Sequence, residues 1–89
     1  MTWKIEFQHR AVKQLAKLSK QDAKRIVSFL ADRVVQDENP RRTGTALQGS
    51  ELGSFWRYRV GDYCIICDIQ DHKLVVLVVE IGHRREIYR

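Results

Sequence analysis

The sequence predicts an α+β protein with the element order β-α-α-β-β-β, in which two N-terminal helices pack on one face of a small antiparallel sheet. Two observations lead to this prediction. The spacing of apolar residues changes from period two to helical period near residue 8, and from residue 55 onward it returns to strand-length segments separated by short turns. A chain of 89 residues has room for one domain, so we take residues 1–89 as a single unit.

The N-terminal half begins with one predicted strand and continues with two helices. Residues 3–7 alternate apolar and polar side chains, which predicts the strand. Residues 9–18 have helical spacing, with Gln14 on the outward side. Ser19 is a suitable N-cap for a second helix over about 20–36, and Asn39-Pro40 ends it because the residue before proline avoids helical geometry. Its apolar stripe comprises Ala23, Ile26, Val27, Leu30 and Val34.

The C-terminal half is predicted to form a three-stranded meander after a loop over residues 39–54. Gly61-Asp62 and Asp71-His72 are two-residue connections of the kind that tight hairpins use. The predicted strands are Phe55–Val60, Tyr63–Gln70 and Lys73–Ile81.

The first turn fixes a register that places two arginines together. If the residues flanking Gly61-Asp62 pair, Arg59 lies opposite Cys64 and Arg57 lies opposite Ile66. Because side chains alternate along a strand, both guanidinium groups lie on one face of the sheet. The opposite face, which we expect beneath the helices, carries Trp56, Tyr58, Val60, Tyr63, Ile65, Cys67, Ile69, Leu74, Val76 and Val78.

The second turn extends this register to the last strand. If Gln70 pairs with Lys73, Asp68 lies opposite Val75. The arginine face then also carries apolar side chains, which favours a face covered by a partner or by the C-terminal segment. These side chains are Val75, Leu77, Val79 and Ile81.

The side-by-side arginines indicate an anion site. Like charges two residues apart repel each other, so the arrangement costs stability unless a negative group is bound. A phosphate suits it, because the guanidinium fork matches its oxygens. The alternative is a solvated face on which Arg57 or Arg59 pairs with Asp68.

The chain end carries His83, Arg84, Arg85 and Tyr88 close together. An imidazole, guanidinium groups and a phenol can supply what metal-free phosphodiester cleavage needs, namely a base, cations for the growing charge and an acid for the leaving oxygen. The alternative is an ordinary solvated basic tail.

The net charge of +5 suggests a polyanionic partner. A basic exterior on the helices and the loop suits RNA backbone phosphates, and an ordinary solvated helix face is the alternative. We expect a cytoplasmic protein without a membrane segment, because no apolar run is long enough to span a bilayer and the first residues do not resemble a signal peptide. The candidate RNA-binding residues are Lys13, Lys17, Lys20, Lys24, Arg25, Arg41, Arg42 and Arg85.

The pair Cys64 and Cys67 has the spacing of a zinc or redox motif but does not predict one. Residues i and i+3 of a strand point to opposite faces, so the two thiols cannot chelate one ion. The three histidines are scattered and show no ligand spacing. We therefore expect no metal and no cofactor.

Several short segments, in this order and spacing, resemble the RelE/ParE toxin superfamily, and its RelE branch more than its ParE branch. The resemblance implies a RelE-like fold and a ribosome-dependent endoribonuclease (mRNA interferase), which cuts messenger RNA in the A site of the 70S ribosome without metal and leaves a 2′,3′-cyclic phosphate. It also implies a cognate antitoxin, through which the complex binds operator DNA. The segments are Trp3–Phe7, Ala11–Leu18, Leu47–Gly49, Trp56–Tyr63 and Ile81–Tyr88.

The resemblance also implies residue roles. Arg57 and Arg59 match basic positions at the scissile phosphate, Arg84 matches an arginine that stabilises the transition state, and Tyr88 matches a tyrosine that orients or stacks on the nucleotide. Cys64 departs from the family pattern, which usually has arginine there, so cleavage is expected to be slower or altered in preference. Since guanidinium is a poor base and imidazole titrates near neutral pH, we hypothesise that His83 takes or shares the proton transfer.

Two other functions remain open at this point. The ParE branch contains non-enzymatic inhibitors of DNA gyrase, and a cleavage-impaired homologue would bind only antitoxin or RNA. The arginine pair with Arg84 and Tyr88 favours the nuclease, because a gyrase inhibitor does not need a phosphate clamp. The departure from the family pattern at Cys64 leaves the cleavage-impaired homologue as an open alternative.

Overall fold

The computed structural model describes residues 2–47 and 55–87. Tyr88 and residues 48–49 of the resemblance therefore lie outside the described residues. Among those described, no helix has the length and apolar composition that a membrane crossing requires. The helices and strands are β1 (Lys4–Phe7), α1 (His9–Ala16), α2 (Lys20–Phe29), β2 (Thr45–Ala46), β3 (Phe55–Val60), β4 (Tyr63–Gln70), β5 (Val75–His83) and α3 (Arg84–Ile87).

The strands form one five-stranded sheet in the order β1-β5-β4-β3-β2. The α+β class and the layout of helices on a sheet are confirmed, but the sheet is mixed, because β1 runs parallel to β5 while the other neighbours are antiparallel. Tight hairpin turns force antiparallel pairing within the meander. No such turn joins β1 to β5, so the local sequence does not fix the direction of β1.

The helices cover one face of the sheet and enclose the core. Helix α1 packs on β5 and β1, and α2 packs on β3. Val27 does not follow the predicted stripe, since it is 44% exposed. The core is formed by Ala11, Ile26, Leu30 and Val34 from the helical segments, together with Tyr58, Val60, Ile65, Cys67, Ile69, Val76, Val78 and Ile81 from the sheet.

The helix ends differ from the sequence prediction in detail. Ser19 is confirmed as the N-cap of α2, since its hydroxyl accepts a hydrogen bond from the Asp22 amide at 3.1 Å. The α-helical geometry of α2 stops at Phe29, and residues Leu30–Val34 continue as a π-helical turn rather than as the α-helix expected to Gln36. Leu30 and Val34 are both buried in the core.

The predicted register of the first hairpin is confirmed. Arg59 pairs with Cys64 and Arg57 with Ile66, on either side of a two-residue turn. Gly61 has a φ of 59°, the left-handed conformation that glycine adopts without strain. The turn chemistry alone was therefore sufficient to place the two arginines.

The predicted register of the second hairpin is wrong by two residues. The connection spans residues 71–74, with a 3₁₀ turn at Asp71–Lys73 and Leu74 in the left-handed region at φ 54°. Gln70 therefore pairs with Val75 instead of Lys73, and Asp68 lies opposite Leu77. A non-glycine residue at positive φ is uncommon, so the sequence did not indicate this turn.

A β-bulge in β5 reverses the faces of the strand beyond it. Cys67 pairs with Val78 but Ile66 pairs with Glu80, which leaves one extra residue, Val79, on β5. Ile81, which we expected on the arginine face, is consequently 2% exposed within the core.

The amide of Ile81 also has a partner that the sequence did not predict. It donates to Oε1 of Gln14 at 2.6 Å. Gln14 was expected to face outward from α1, and that expectation is wrong. Its side chain instead supplies an acceptor for a β5 amide that lies beyond the last pair between β1 and β5, Phe7 with Val78.

Three aromatic side chains fix the segment that follows the helices. The indole of Trp3 donates to the Glu38 carbonyl at 3.1 Å, the hydroxyl of Tyr58 donates to the Pro40 carbonyl at 2.7 Å, and the indole of Trp56 donates to the carbonyl of Arg41 at 3.0 Å. Since Trp3 and Tyr58 are buried, these bonds attach the backbone of residues 38–41 to the sheet. This segment is called the anchored segment below.

Replacing Tyr58 by phenylalanine should destabilise the fold by about 1–3 kcal/mol, because the Pro40 carbonyl loses its buried partner. Urea unfolding followed by circular dichroism measures the change. Thr43→Ala is the control, since it removes a hydroxyl whose bond to the Arg33 carbonyl is long and exposed. Equal unfolding free energies for Tyr58→Phe and the wild type would contradict the anchoring role.

Alkaline pH should also destabilise the protein. Burial raises the pKa of the Cys67 thiol above its ordinary 9.0 and that of the Tyr58 phenol above its ordinary 10.0. The unfolded chain then loses these protons first, so stability is full below pH 9 and falls as pH rises through 9 and 10. Urea midpoints across this range measure the fall, which should be shallower for Tyr58→Phe. A urea midpoint that does not change with pH would contradict the expected fall in stability.

Candidate functional site

Arg57 and Arg59 lie on the face of the sheet that points away from the helices. Tyr58 and Val60, which alternate with them, are buried in the helix-side core. Arg57 is half-buried and Arg59 is exposed. The observed register therefore places both arginines on one face of the sheet, opposite the helices, as the sequence predicted.

The short strand β2 forms one side of a groove next to these arginines. Nη2 of Arg57 donates to Oγ1 of Thr45 at 3.0 Å, and the two residues pair across the strands. Among described residues, β2 pairs only with Trp56 and Arg57, so the end of β3 lies along the sheet edge. A cavity of about 300 Å³ opens there, lined by Phe29, Thr43, Gly44, Thr45, Arg57 and Arg59.

Gly44 allows the close approach of this segment to β3. A Cβ at Gly44 would lie 2.4 Å from the Arg57 carbonyl oxygen and 2.7 Å from Cδ1 of Trp56. Any side chain at this position would push the segment off the sheet. Glycine therefore sets the width of the groove beside the arginine pair.

Arg41 is held by an acidic partner at the base of the anchored segment. Its Nη1 and Nη2 donate to the two carboxylate oxygens of Asp71 at 2.8 and 2.7 Å. This hydrogen bonding raises the pKa of Arg41 and lowers the pKa of Asp71. The guanidinium also lies 5.8 Å from the ring centre of Trp56. Arg41, which was predicted to bind RNA, thus directs both terminal nitrogens of its guanidinium group at the Asp71 carboxylate. Nη1 of Arg42 lies 3.5 Å from Oδ1 of Asp37.

The chain end returns to the same end of the sheet as Arg59. The amide of Arg84 donates to the carbonyl of Asp62, in the turn after β3, at 2.8 Å. Across the sheet, Arg59 pairs with Cys64, which pairs with Gly82. The start of α3 is therefore attached beside the first hairpin turn, and the side chains of Arg84 and Arg85 are exposed.

His83 lies on the other side of the sheet from the arginine pair. It pairs with Tyr63, whose hydroxyl donates to Oδ2 of Asp22 on α2 at 3.1 Å. The two rings meet edge to face, with centres 5.9 Å apart. The register therefore separates His83 from Arg57 and Arg59, with which the sequence analysis had grouped it.

The basic residues predicted on the helices are exposed. Gly61 faces the guanidinium of Arg25, since a Cβ there would lie 3.5 Å from Nη2. This contact places one helical cation over the first hairpin turn. The predicted cations that are exposed are Lys13 of α1, Lys17 directly after it, and Lys20, Lys24 and Arg25 of α2.

The two cysteines occupy opposite faces, as the strand geometry predicted. Both thiols are free and buried. Cys64 and Ile66 are buried on the arginine face, outside the main core. Across residues 2–47 and 55–87, no cluster of ligand-type side chains could hold a metal ion.

Several residues of the site were missed by the sequence analysis. Thr45 lies in a segment predicted as loop, and its contact with Arg57 depends on the β2 pairing that Gly44 permits. Asp22, in the first turn of α2, accepts a hydrogen bond from the Tyr63 hydroxyl, 41 positions away in the sequence. No local pattern reports such long-range contacts.

Comparison with known proteins decides the family. The family model described as "ParE toxin of type II toxin-antitoxin system, parDE" matches residues 5–88. The chain belongs to this toxin family. It is thus a toxin of the RelE/ParE superfamily, the toxin half of a type II toxin–antitoxin module. Comparison with curated protein sequences gives no match.

Solved structures of the superfamily share the fold of this ParE-family chain. The complex RelBE2 from Mycobacterium tuberculosis matches with a TM-score of 0.84 and 24% identity, covering 94% of this chain and 100% of that one. A mutant of the Escherichia coli toxin RelE in the free state matches with a TM-score of 0.76 and 23% sequence identity, covering 99% of this chain and 92% of that one. The archaeal RelE–RelB complex from Pyrococcus horikoshii matches with a TM-score of 0.73 and 26% sequence identity, covering 94% of this chain and 97% of that one.

Gly44→Ala should destabilise this ParE-family toxin by about 1–3 kcal/mol, because the added methyl group meets the Arg57 backbone. Denaturant unfolding measures this loss as a change in the free energy of unfolding. Thr45→Ala is the matched control, since it removes the hydroxyl bonded to Arg57 but adds no atom. If Gly44→Ala were no less stable than Thr45→Ala, the close approach would not limit this position.

Proposed function

We propose that this toxin is a ribosome-dependent endoribonuclease, which cuts messenger RNA in the A site without a metal ion. The observation that carries the proposal is the arginine pair on the face of the sheet that points away from the helices. Arg57 and Arg59 extend from alternate positions of one strand, and the backbone of Arg84 is attached at the same end. Two guanidinium forks on one face suit the oxygens of a phosphate, and an RNA phosphate is the anion that a ribosome-bound toxin meets.

The proposed reaction is an internal phosphoryl transfer. The ribose 2′-oxygen forms a bond to the adjacent phosphorus as its proton passes to a water molecule, and the bond from phosphorus to the 5′-oxygen of the next nucleotide breaks. The leaving oxygen takes up a proton from water, so the products are a 2′,3′-cyclic phosphate and a 5′-hydroxyl. Arg57, Arg59 and Arg84 would stabilise the charge that grows on the phosphate oxygens. They remain protonated at any ordinary pH, so their role is electrostatic.

The proposed partners follow from the family and from the surface charge. Solved relatives form complexes with RelB antitoxins, which supports a cognate antitoxin for this chain, and that antitoxin would carry any operator binding. The exposed cations of α1 and α2 support contact with ribosomal RNA through backbone phosphates, in the cytoplasm. Tyr88 keeps its predicted role of orienting or stacking on the nucleotide.

Cys64 bears on the rate rather than on the reaction. The family usually has an arginine here, but the Cys64 side chain is fully buried between Arg59 and Gly82. One cation fewer then faces the phosphate, so the proposal expects slower cleavage than a relative with all its basic residues would give.

Inhibition of DNA gyrase is the second candidate function. The family model that matches the chain is the ParE model, and the ParE branch of the superfamily acts on gyrase without cleaving nucleic acid. The arginine pair has no assigned role under this alternative.

Mapping messenger RNA 5′ ends after induced expression distinguishes these functions. The nuclease should give in-frame cuts within translated regions, because cleavage occurs in the A site. Gyrase inhibition would give intact transcripts with DNA damage, and growth without harm would indicate a cleavage-impaired homologue. Either of these last two results would overturn the proposal.

Alanine substitution at Arg57, Arg59 or Arg84 should slow cleavage on programmed ribosomes about 10²–10³-fold, as the loss of one charged group from a transition-state site does. Lys73→Ala is the control, since Lys73 is an exposed cation in the turn at the far end of the sheet. Thermal unfolding should show that every variant is folded. Wild-type rates for all three arginine variants would refute the assigned site.

A further inference from the structure

His83 connects the sheet to the chain end through its imidazole. Its Nδ1 accepts a hydrogen bond from the Arg85 amide at 3.2 Å. The ring packs edge to face on Tyr63, which is held in turn by Asp22 of α2. The imidazole orientation is therefore set by α2, and the backbone of α3 is attached to it.

The hydrogen bond determines which nitrogen carries the proton. A ring nitrogen that accepts from an amide holds no proton, so neutral His83 has its proton on Nε2. Together with the bond from the Arg84 amide to Asp62, this contact fixes the first two amides of α3 at the end of the sheet. The carbonyl of a hairpin turn and the imidazole of β5 thus determine where the segment bearing Arg84 begins.

The location of His83 conflicts with a direct role in proton transfer. A general base must come within about 2.6–3.2 Å of the proton that it removes, or act through one water. The bulge at Val79 places His83 on the helix side of the sheet, whereas Arg57 and Arg59 are on the other side. A phosphate held by those arginines has the sheet between it and the imidazole.

We infer that His83 is a positioning residue, whose Nδ1 holds the start of the C-terminal segment so that Arg84 is presented on the side of the arginine pair. This inference rests on the proposed nuclease function for its consequence, but the contact itself does not.

Two amide substitutions separate positioning from proton transfer. The side-chain oxygen of asparagine can occupy the place of Nδ1, whereas the longer glutamine puts its amide near the place of Nε2. We expect His83→Asn to cleave ribosome-bound messenger RNA at close to the wild-type rate. His83→Gln and His83→Ala should be about tenfold to a hundredfold slower, because a small displacement of an aligned group costs this much. If His83→Asn were as slow as His83→Ala, the inference would be overturned.

Hydrogen exchange of the Arg85 amide, followed by NMR on the full-length toxin, gives a readout independent of cleavage. The amide should be protected in the wild type and in His83→Asn, but not in His83→Ala. Equal exchange in all three proteins would overturn the inference. If the wild type cleaves no messenger RNA, the proposed function fails, while the pattern of amide protection still decides whether His83 holds the segment.

Discussion

The attachment of the anchored segment to the sheet is the constraint on which the arginine site depends. After the π-helical turn the chain leaves the helical layer, and three carbonyl groups of residues 38–41 accept hydrogen bonds from Trp3, Trp56 and Tyr58. These donors come from two separate parts of the chain. A small domain has a narrow stability margin, so three bonds to otherwise irregular backbone are a substantial fraction of what holds this region. Only from this fixed base can Gly44 and Thr45 reach β3.

The sequence predicted those parts of the structure that local chemistry determines. The turn at Gly61-Asp62 fixed the first hairpin, and with it the shared face of Arg57 and Arg59. The predicted register of the second hairpin was wrong because Leu74 takes a left-handed conformation, which a leucine side chain does not indicate. The predicted antiparallel direction of β1 was wrong for a different reason, because the pairing of β1 with β5 is a contact between distant parts of the chain.

The candidate site was predictable to the same extent. The arginine pair depends on a single tight turn, which the sequence displays, and the family resemblance gave the roles to test. The side of the sheet on which His83 lies depends on a bulge, and no residue pattern marked Val79 as the extra one. The groove beside the arginines depends on β2, which has two residues and was predicted as loop. Local sequence patterns thus identify the charged groups of the site, whereas irregularities in the strand pairing decide which of these groups lie close together.

The bulge gives β5 a different orientation in each of its two halves. The first half of β5 directs Val76 and Val78 to the helices, and the second half directs Ile81 and His83 to them, although two residues rather than one lie between Val78 and Ile81. A regular ladder over the same residues would pair Val79 with Ile66 and shift every later pair by one position, which would turn His83 toward the arginines. The bulge, rather than the identity of any side chain in the strand, therefore decides on which side of the sheet the imidazole lies.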